Sequence, residues 1–455
     1  MTPSPLHAGT AAVEITPRMP VDLAGSMIRR PSEGVTDPLF VRVVVLENAS
    51  ERLAFILLDL ICFNDEDCLP LRREISQRLG VAEANVCISC THTHRGPSTR
   101  RTSHFFTQRN EEWMAWMLGR VVEAVETAAA SLVPAEVAWG RGHEARPQSN
   151  RRWHLQGGPV RTNPRAPEVP SHPAGPTDPD IPFLLVRRRG SGELLAAIAN
   201  YSLHYIGDGP GRKISADYFG RFSQLARERF GEGMTALLTH GTSGDINNLN
   251  HTGKPTPWYP EKPAPGEKSD LIAGWLLDQM EAVLEQVAWH ESAVLAATQD
   301  LYTLRIRKPD EEEIARSERE AADEGLTPAL RSYARSRLEV ARNYPAQLPR
   351  VISSLRVGDW AASTFPAEMF CQFGLDLKYA SPFPVTAPIE LANGHSGYIA
   401  TRYSYELGGY ETWLNASTFA VPGSGEEMVL VAIRQLLRLH GGNPPVLAPL
   451  PTMLP

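Results

Sequence analysis

The alternation of apolar and polar positions divides the chain into short extended segments and amphipathic helices. Phe40–Leu46 and Leu53–Leu58 are rich in β-branched and apolar residues and predict two strands, the second ending at Asp59. Asp67–Leu79 has helical spacing, and Asn85–Cys90 is a short apolar strand, so this region reads strand, helix, strand. That is the βαβ signature of an α/β fold. It carries the polar turn Thr91-His92-Thr93-His94-Arg95-Gly96-Pro97 to the end of a buried strand, where such folds place their chemistry. Between Asn110 and Ser131, the residues Trp113, Met114, Trp116, Met117, Val121 and Val125 recur at helical spacing and predict a core-facing stripe, with the aromatics as packing. Further strands are expected at Glu136–Trp139, Phe183–Arg187 and Leu194–Asn200, and helices at Asp270–Val287, Asp310–Tyr344 (broken at Gly325 and Pro328) and Glu426–Leu439.

Proline interrupts this pattern twice. Gly158–Pro182 carries seven internal prolines from Pro159 to Pro179, and Gly253–Lys268 carries five from Pro255 to Pro265. Neither stretch can be a helix or a central strand, because proline has no amide proton and clashes with the preceding turn. Irregular segments of this length inside a compact domain are often functional, so both are expected to line a site. A third proline-rich stretch, 443–455, reads as a tail.

Composition narrows the function classes. With 42% hydrophobic and 21% charged residues in 455, the chain is typical of a globular protein with a sizeable core. A net charge of −7 gives no general reason to bind nucleic acid or an anionic membrane. No stretch approaches the ~20 apolar residues that span a bilayer. The five cysteines (Cys62, Cys68, Cys87, Cys90, Cys371) are sparse and odd in number, which fits a reducing compartment, and the N-terminus lacks the features of a signal peptide. The expectation is a cytoplasmic protein acting on a small molecule, with no nucleic-acid or stable membrane partner. The oligomeric state is left open.

Four clusters can carry chemistry. In His92-x-His94, residues two apart on an extended chain point to one side, so both imidazoles can face one site. His204, in Asn200-Tyr201-Ser202-Leu203-His204, again ends an apolar strand. The apolar run Met234–Leu238 leads into Thr239-His240-Gly241-Thr242-Ser243-Gly244-Asp245-Ile246-Asn247-Asn248, whose density of small and Asx residues marks a turn of unusual geometry or a site for a polar ligand. Glu368, in Phe365-Pro366-Ala367-Glu368-Met369-Phe370, is a carboxylate among apolar residues, which is costly unless paired or bound to a cation.

Read together, these segments resemble the neutral/alkaline ceramidases, zinc amidases that cleave the N-acyl bond of ceramide. The opening Ala8-Gly9-Thr10-Ala11-Ala12-Val13-Glu14-Ile15-Thr16-Pro17 and Val35-Thr36-Asp37-Pro38-Leu39 resemble that family's start. The turn from Thr91 to Pro97 resembles its zinc-site turn, and Ile214-Ser215-Ala216-Asp217-Tyr218 a segment after its second histidine. Ser243-Gly244-Asp245 resembles its catalytic loop, Pro366-Ala367-Glu368 its carboxylate ligand, and Gly397-Tyr398-Ile399-Ala400-Thr401 with Tyr410-Glu411 its tyrosine pair.

The resemblance implies an α/β fold made of one large catalytic domain, residues 1–442, with mixed sheets, flanking helices and long proline-rich loops. It implies a Zn2+ ion held by His92, His204, Glu368 and Tyr398, an open ligand set of the kind that supplies a metal-bound hydroxide near neutral pH. His94 would move the proton, and Arg151 and Tyr410 would steady the oxyanion of a tetrahedral intermediate. Arg95, Asp245 and Asn248 would contact substrate.

The chain also departs from that family. The family's catalytic loop has a serine where this chain has Asn247, which excludes an acyl-serine route at that position and recasts the residue as an amide donor or acceptor to substrate. Ceramidases of this type are secreted or membrane-facing and carry a C-terminal β-sandwich; none is expected here. Arg29, Arg30, Arg95, Arg100, Arg101, Arg151 and Arg152 read either as a cationic pocket for a carboxylate or as a solvated face. The reading that follows is a zinc-dependent hydrolase of an amide, less readily an ester or lactone, in a small polar and anionic substrate. A lipid amidase, a zinc-dependent lyase and a non-catalytic metal-binding protein are the alternatives.

Overall fold

The computed structural model describes residues 3–18, 20–25, 29–100, 107–209, 211–249, 251, 257–260 and 262–441. Its frame is a mixed sheet of nine strands. Eight lie on one path: β1 (Ser4–Glu14), β2 (Phe40–Glu47), β3 (Arg52–Leu58), β4 (Val86–Cys90), β5 (Val133–His143), β6 (Asp180–Arg188), β7 (Leu194–Tyr201) and β8 (Thr235–His240). Their order is β8-β7-β6-β5-β1-β2-β3-β4, and the short strand Ser292–Ala293 pairs with β1. The expected βαβ unit is present: helix α1 (Asp65–Leu79) crosses over between β3 and β4, which pair in parallel. β7 and β8 are the other parallel pair.

A second sheet, β9 (Leu295–Arg305), β10 (Gln347–Val357), β11 (Trp360–Phe365) and β12 (Val385–Glu390), lies against the first. Period-two alternation explains the contact. Val44, Leu46, Phe55 and Leu57 pack with Leu355, Val357, Trp360 and Ile389, while the intervening Val43, Val45, Ala54 and Ile56 face α1 and α2 (Glu111–Ala130). Helices α3 (Asp217–Phe230) and α4 (Glu267–Leu284) cover the outer face of β5–β8, and α5 (Ser424–His440) covers the outer face of the second sheet. The layers run helix, sheet, sheet, helix, so the strands are buried on both faces.

Several expectations need correction. Trp116 is 47% exposed and stands outside the α2 stripe, whereas Trp113, Met114, Met117, Val121 and Val125 are buried in it. The first proline-rich segment is not wholly irregular: Val160–Thr162 and Pro170–Pro173 flank Arg152–Leu155 in a small three-stranded sheet. Five residues of the second (253–256 and 261) lie outside the described residues, as do Arg101 and the tail. Among the described residues no helix is long and apolar enough to cross a membrane.

Candidate functional site

The ends of the two parallel pairs converge on one cavity of about 420 Å³. β4 ends at Cys90, and the chain turns at once. His92 adopts φ of 68°, a left-handed conformation that costs a non-glycine residue on the order of 1 kcal/mol or more and tends to persist at functional positions. The turn is held by hydrogen bonds from the Thr91 and His92 amides to the Leu58 and Leu60 carbonyls, at 3.0 and 2.9 Å. β7 ends at Tyr201, three residues before His204. Glu368 comes from the short strand Glu368–Met369, which pairs in parallel with Tyr398–Ile399 in the register Glu368 to Tyr398.

Three imidazoles meet at their ε nitrogens. His92 Nε2 lies 3.0 Å from His204 Nε2 and 3.1 Å from His94 Nε2, and 3.4 Å from Glu368 Oε2, which also stands 3.9 Å from His204 Nε2. His92 Nδ1 is 2.7 Å from the Ile61 carbonyl, which fixes that nitrogen as a donor and turns Nε2 inward. His94 Nδ1 stands 3.3 Å from the Gly25 carbonyl. A proton on His92 Nε2 satisfies only one of its three acceptor neighbours. Glu368 Oε2 is buried and makes no hydrogen bond among the described residues. Such a convergence is the arrangement a cation resolves, so these residues fit a divalent metal.

The protonation pattern divides the three histidines. Burial works against a charge on His92, but Glu368 and the Ile61 carbonyl outweigh it and raise its pKa. Burial lowers the pKa of His94 and His204 well below the ordinary value, reinforced by His92, which leaves both neutral and able to donate lone pairs. Burial works against a charge on Glu368, but His92 and the contacts from His395 outweigh it and hold the carboxyl well below its usual range.

Opposite the histidines, the Arg151 guanidinium carbon lies 5.2 and 5.3 Å from the ring centroids of Tyr398 and Tyr410. Arg151 Nε donates to Glu411 Oε1 at 3.0 Å and Nη2 to the Gly244 carbonyl at 2.5 Å, while Arg152 donates to the other oxygen of Glu411 at 3.1 Å. Burial raises the pKa of both phenols, so both remain O–H donors. Asn247 and Asn248 also line the cavity, and Asn247 Nδ2 donates to Asn163 Oδ1 at 2.5 Å, which brings the first proline-rich segment into the wall.

Two expected substrate contacts lie elsewhere. Arg95 is directed away from the cavity, its Nε and Nη2 donating to the Lys213 and Gly211 carbonyls at 3.0 and 2.8 Å. Asp245 is a buried brace, its two oxygens accepting from the Asn150 side chain and the Cys371 amide, both at 2.8 Å. Of the arginines read as a cluster, Arg100 and Arg151 line the cavity, whereas Arg29 is paired with Asp22 and Arg152 with Glu411.

The cavity also contains residues the sequence did not single out. Tyr205 stacks on His94 with ring centroids 3.7 Å apart, and His395 Nε2 reaches Glu368 Oε1 at 3.5 Å. Burial alone would raise the Cys62 thiol, but His395 and Arg100 beside it bring its pKa to about 6. A larger cavity of about 520 Å³, lined by Asp37, Arg42 and Asp217, contains none of these histidines.

Solved structures decide the fold. Neutral ceramidase from Pseudomonas aeruginosa superposes with a TM-score of 0.72 over 98% of this chain and 76% of its own, at 18% identity. The chain has a neutral-ceramidase-like fold. A ceramidase complexed with C2 matches equally, with a TM-score of 0.72 over 99% of this chain and 78% of that one, also at 18% identity. No family model matches the sequence. The ceramidase-like topology accounts for how segments as distant as His92, His204, Glu368 and Tyr410 reach one cavity.

Proposed function

We propose that the protein is a metal-dependent hydrolase that cleaves an amide bond in a small, polar, anionic substrate. The observation that carries this reading is the meeting of three imidazole ε nitrogens with a buried Glu368 oxygen that makes no hydrogen bond among the described residues. His92, His204 and Glu368 would hold the ion, with Tyr398 on the strand paired to Glu368 and His94 beside them. A divalent ion bound there would acidify a water molecule and polarise a carbonyl oxygen, and Zn2+ suits this imidazole and carboxylate chemistry.

The remaining roles belong to the chain. Neutral His94 accepts a proton at Nε2 and returns it to the leaving nitrogen, and its stacking on Tyr205 fixes the ring for that transfer. Tyr410 donates its phenolic proton toward the developing oxyanion, with Arg151 behind both tyrosines adding positive charge. Asn247 offers an amide to substrate in place of a nucleophile. A cytoplasmic location belongs to the same proposal and rests on the sequence alone.

A lipid amidase is the second reading, and the fold favours it. The polar side chains on the wall, Arg100, Asn163, Asn247 and Asn415, favour the first, while the apolar remainder of the cavity surface suits the second. Elemental analysis of the purified chain, with turnover of N-acyl amino acids compared with detergent-dispersed N-acyl lipids, tests both. Bound zinc and chelator-sensitive release of amino acid is the expected result. Absence of metal together with absence of turnover on every amide would overturn it.

A further inference from the structure

We propose that Arg100, with the hydroxyls of Ser417 and Thr418, forms a subsite for a carboxylate group carried by the substrate. Arg100 lies in the cavity wall without a carboxylate partner among the described residues. Its Nη1 reaches Ser417 Oγ and its Nη2 reaches His395 Nδ1, both at 3.3 Å, and its third neighbour is Cys62, an anionic sulfur near neutral pH. These contacts are long for a guanidinium and leave its fork without the paired oxygens it binds best.

A second observation points to the same place. Thr418 is 1% exposed and lines the cavity, yet its Oγ1 has no hydrogen-bond partner among the described residues. A buried hydroxyl left unpaired is costly, and rotation of the Thr418 side chain toward the cavity would pair it with a ligand oxygen. Ser417 Oγ, which accepts from Arg100, keeps its own proton free to donate to the same ligand. One guanidinium and two hydroxyls suit the two oxygens of a monoanionic carboxylate better than a phosphate dianion, which calls for more positive charge.

The position of the subsite gives it a consequence for substrate choice. The Ser417 carbonyl accepts from the Tyr398 amide at 2.8 Å, so the subsite lies one strand from the segment that pairs with Glu368. A molecule anchored there by its carboxylate carries a neighbouring amide toward the histidines, as an N-acyl amino acid does. This last step rests on the hydrolase reading above; the carboxylate subsite does not.

The test is binding of N-acetylglycine and of its uncharged analogue N-acetylglycinamide to the full chain as purified, measured by calorimetry. The wild type should bind the carboxylate at least about tenfold more tightly, the scale of one charge-assisted contact. Arg100→Met should remove that preference, Arg100→Lys should keep part of it, and Thr418→Val should reduce it by a smaller factor. Equal binding of both probes by the wild type overturns the inference. So does a preference that survives Arg100→Met, which would place the carboxylate on the histidine group, or inorganic phosphate competing as well as acetate. Turnover of the two probes is scored separately: a wild type that prefers the carboxylate in binding but cleaves neither amide removes the hydrolase reading and leaves the subsite standing.

Discussion

Glu368 and Glu390 are both buried carboxylates near the histidines, and their surroundings are opposite. Glu390 is saturated: Oε1 accepts from the Ser243 amide and hydroxyl at 3.2 and 3.0 Å and lies 2.9 Å from His240 Nδ1, while Oε2 accepts from the Met369 amide at 2.6 Å. Glu368 is open: one oxygen meets His395 at 3.5 Å and the other has no hydrogen bond among the described residues. Burial raises the pKa of Glu390, and its hydrogen bond with His240 does not reverse that, whereas His92 and its neighbours keep Glu368 ionised. A saturated carboxylate ties the loop after β8 to the strand bearing Glu368. An open, ionised one waits for a cation.

The sharpest way to break this contrast is to exchange the outcomes of two substitutions. Glu368→Gln should remove bound metal and activity together, with an affinity loss well beyond the 10- to 100-fold typical of a group that only supports a ligand. Compared in urea with metal-free wild type, the variant should also lose stability near neutral pH, because the ionised carboxylate is held by His92 and His395. Full metal occupancy in this variant, measured by elemental analysis, rejects Glu368 as a ligand. Glu390→Gln should leave the folded fraction with its metal and lower unfolding free energy by about 1–3 kcal/mol, because the amide cannot accept from Ser243, His240 and Met369 together. Metal loss without destabilisation would make Glu390 the functional carboxylate.

Asp37, in the larger cavity, is an intermediate case. It accepts from Ser215 Oγ and the Ala216 amide, both at 2.6 Å, but burial, reinforced by Asp59 and Asp217, raises its pKa from 3.8 to about 6. Between those values the folded chain holds a proton that the unfolded chain has released, so stability falls as pH rises through this window. The shift of roughly two units sets an upper limit of about 3 kcal/mol. Asp37→Asn should flatten that part of the stability profile in urea unfolding between pH 4 and 6. An unaltered slope would show that Asp37 ionises as it does in the unfolded chain.

The sequence disclosed these regions unevenly. β2, β3, α1 and β4 were legible because each carries its own periodicity and the helix lies between two apolar runs. The second sheet was not: β9 alternates irregularly, with Leu301 72% exposed, and β11 and β12 are buried on both faces and lack the alternation that marks a half-exposed strand. Within the site, His92, His204 and Glu368 stood out as polar residues ending or interrupting apolar segments. Arg95 and Asp245 sit in equally suggestive motifs, but those motifs also have to build turns, and only three-dimensional placement separates bracing from contact. His395 had no local signal; Asn393-Gly394-His395-Ser396 reads as an ordinary turn, and its partner Glu368 is distant in sequence.

His395 gives the finest test, because it acts on the half of Glu368 that is already held. Its Nε2 stands 3.5 Å from Glu368 Oε1, and its Nδ1 lies 3.3 Å from Arg100 Nη2. If it only orients the carboxylate, His395→Asn should weaken metal binding by about 10- to 100-fold, the cost typical of a lost supporting partner and equal to about 1.4–2.7 kcal/mol. The measurement is competition with a chelator of known affinity. A loss as large as that of Glu368→Gln would make His395 a ligand in its own right and extend the open region around Glu368. No loss at all would mean that the carboxylate is positioned by its strand pairing to Tyr398 alone, and the distinction between saturated and open carboxylates would then rest on backbone geometry rather than on side-chain partners.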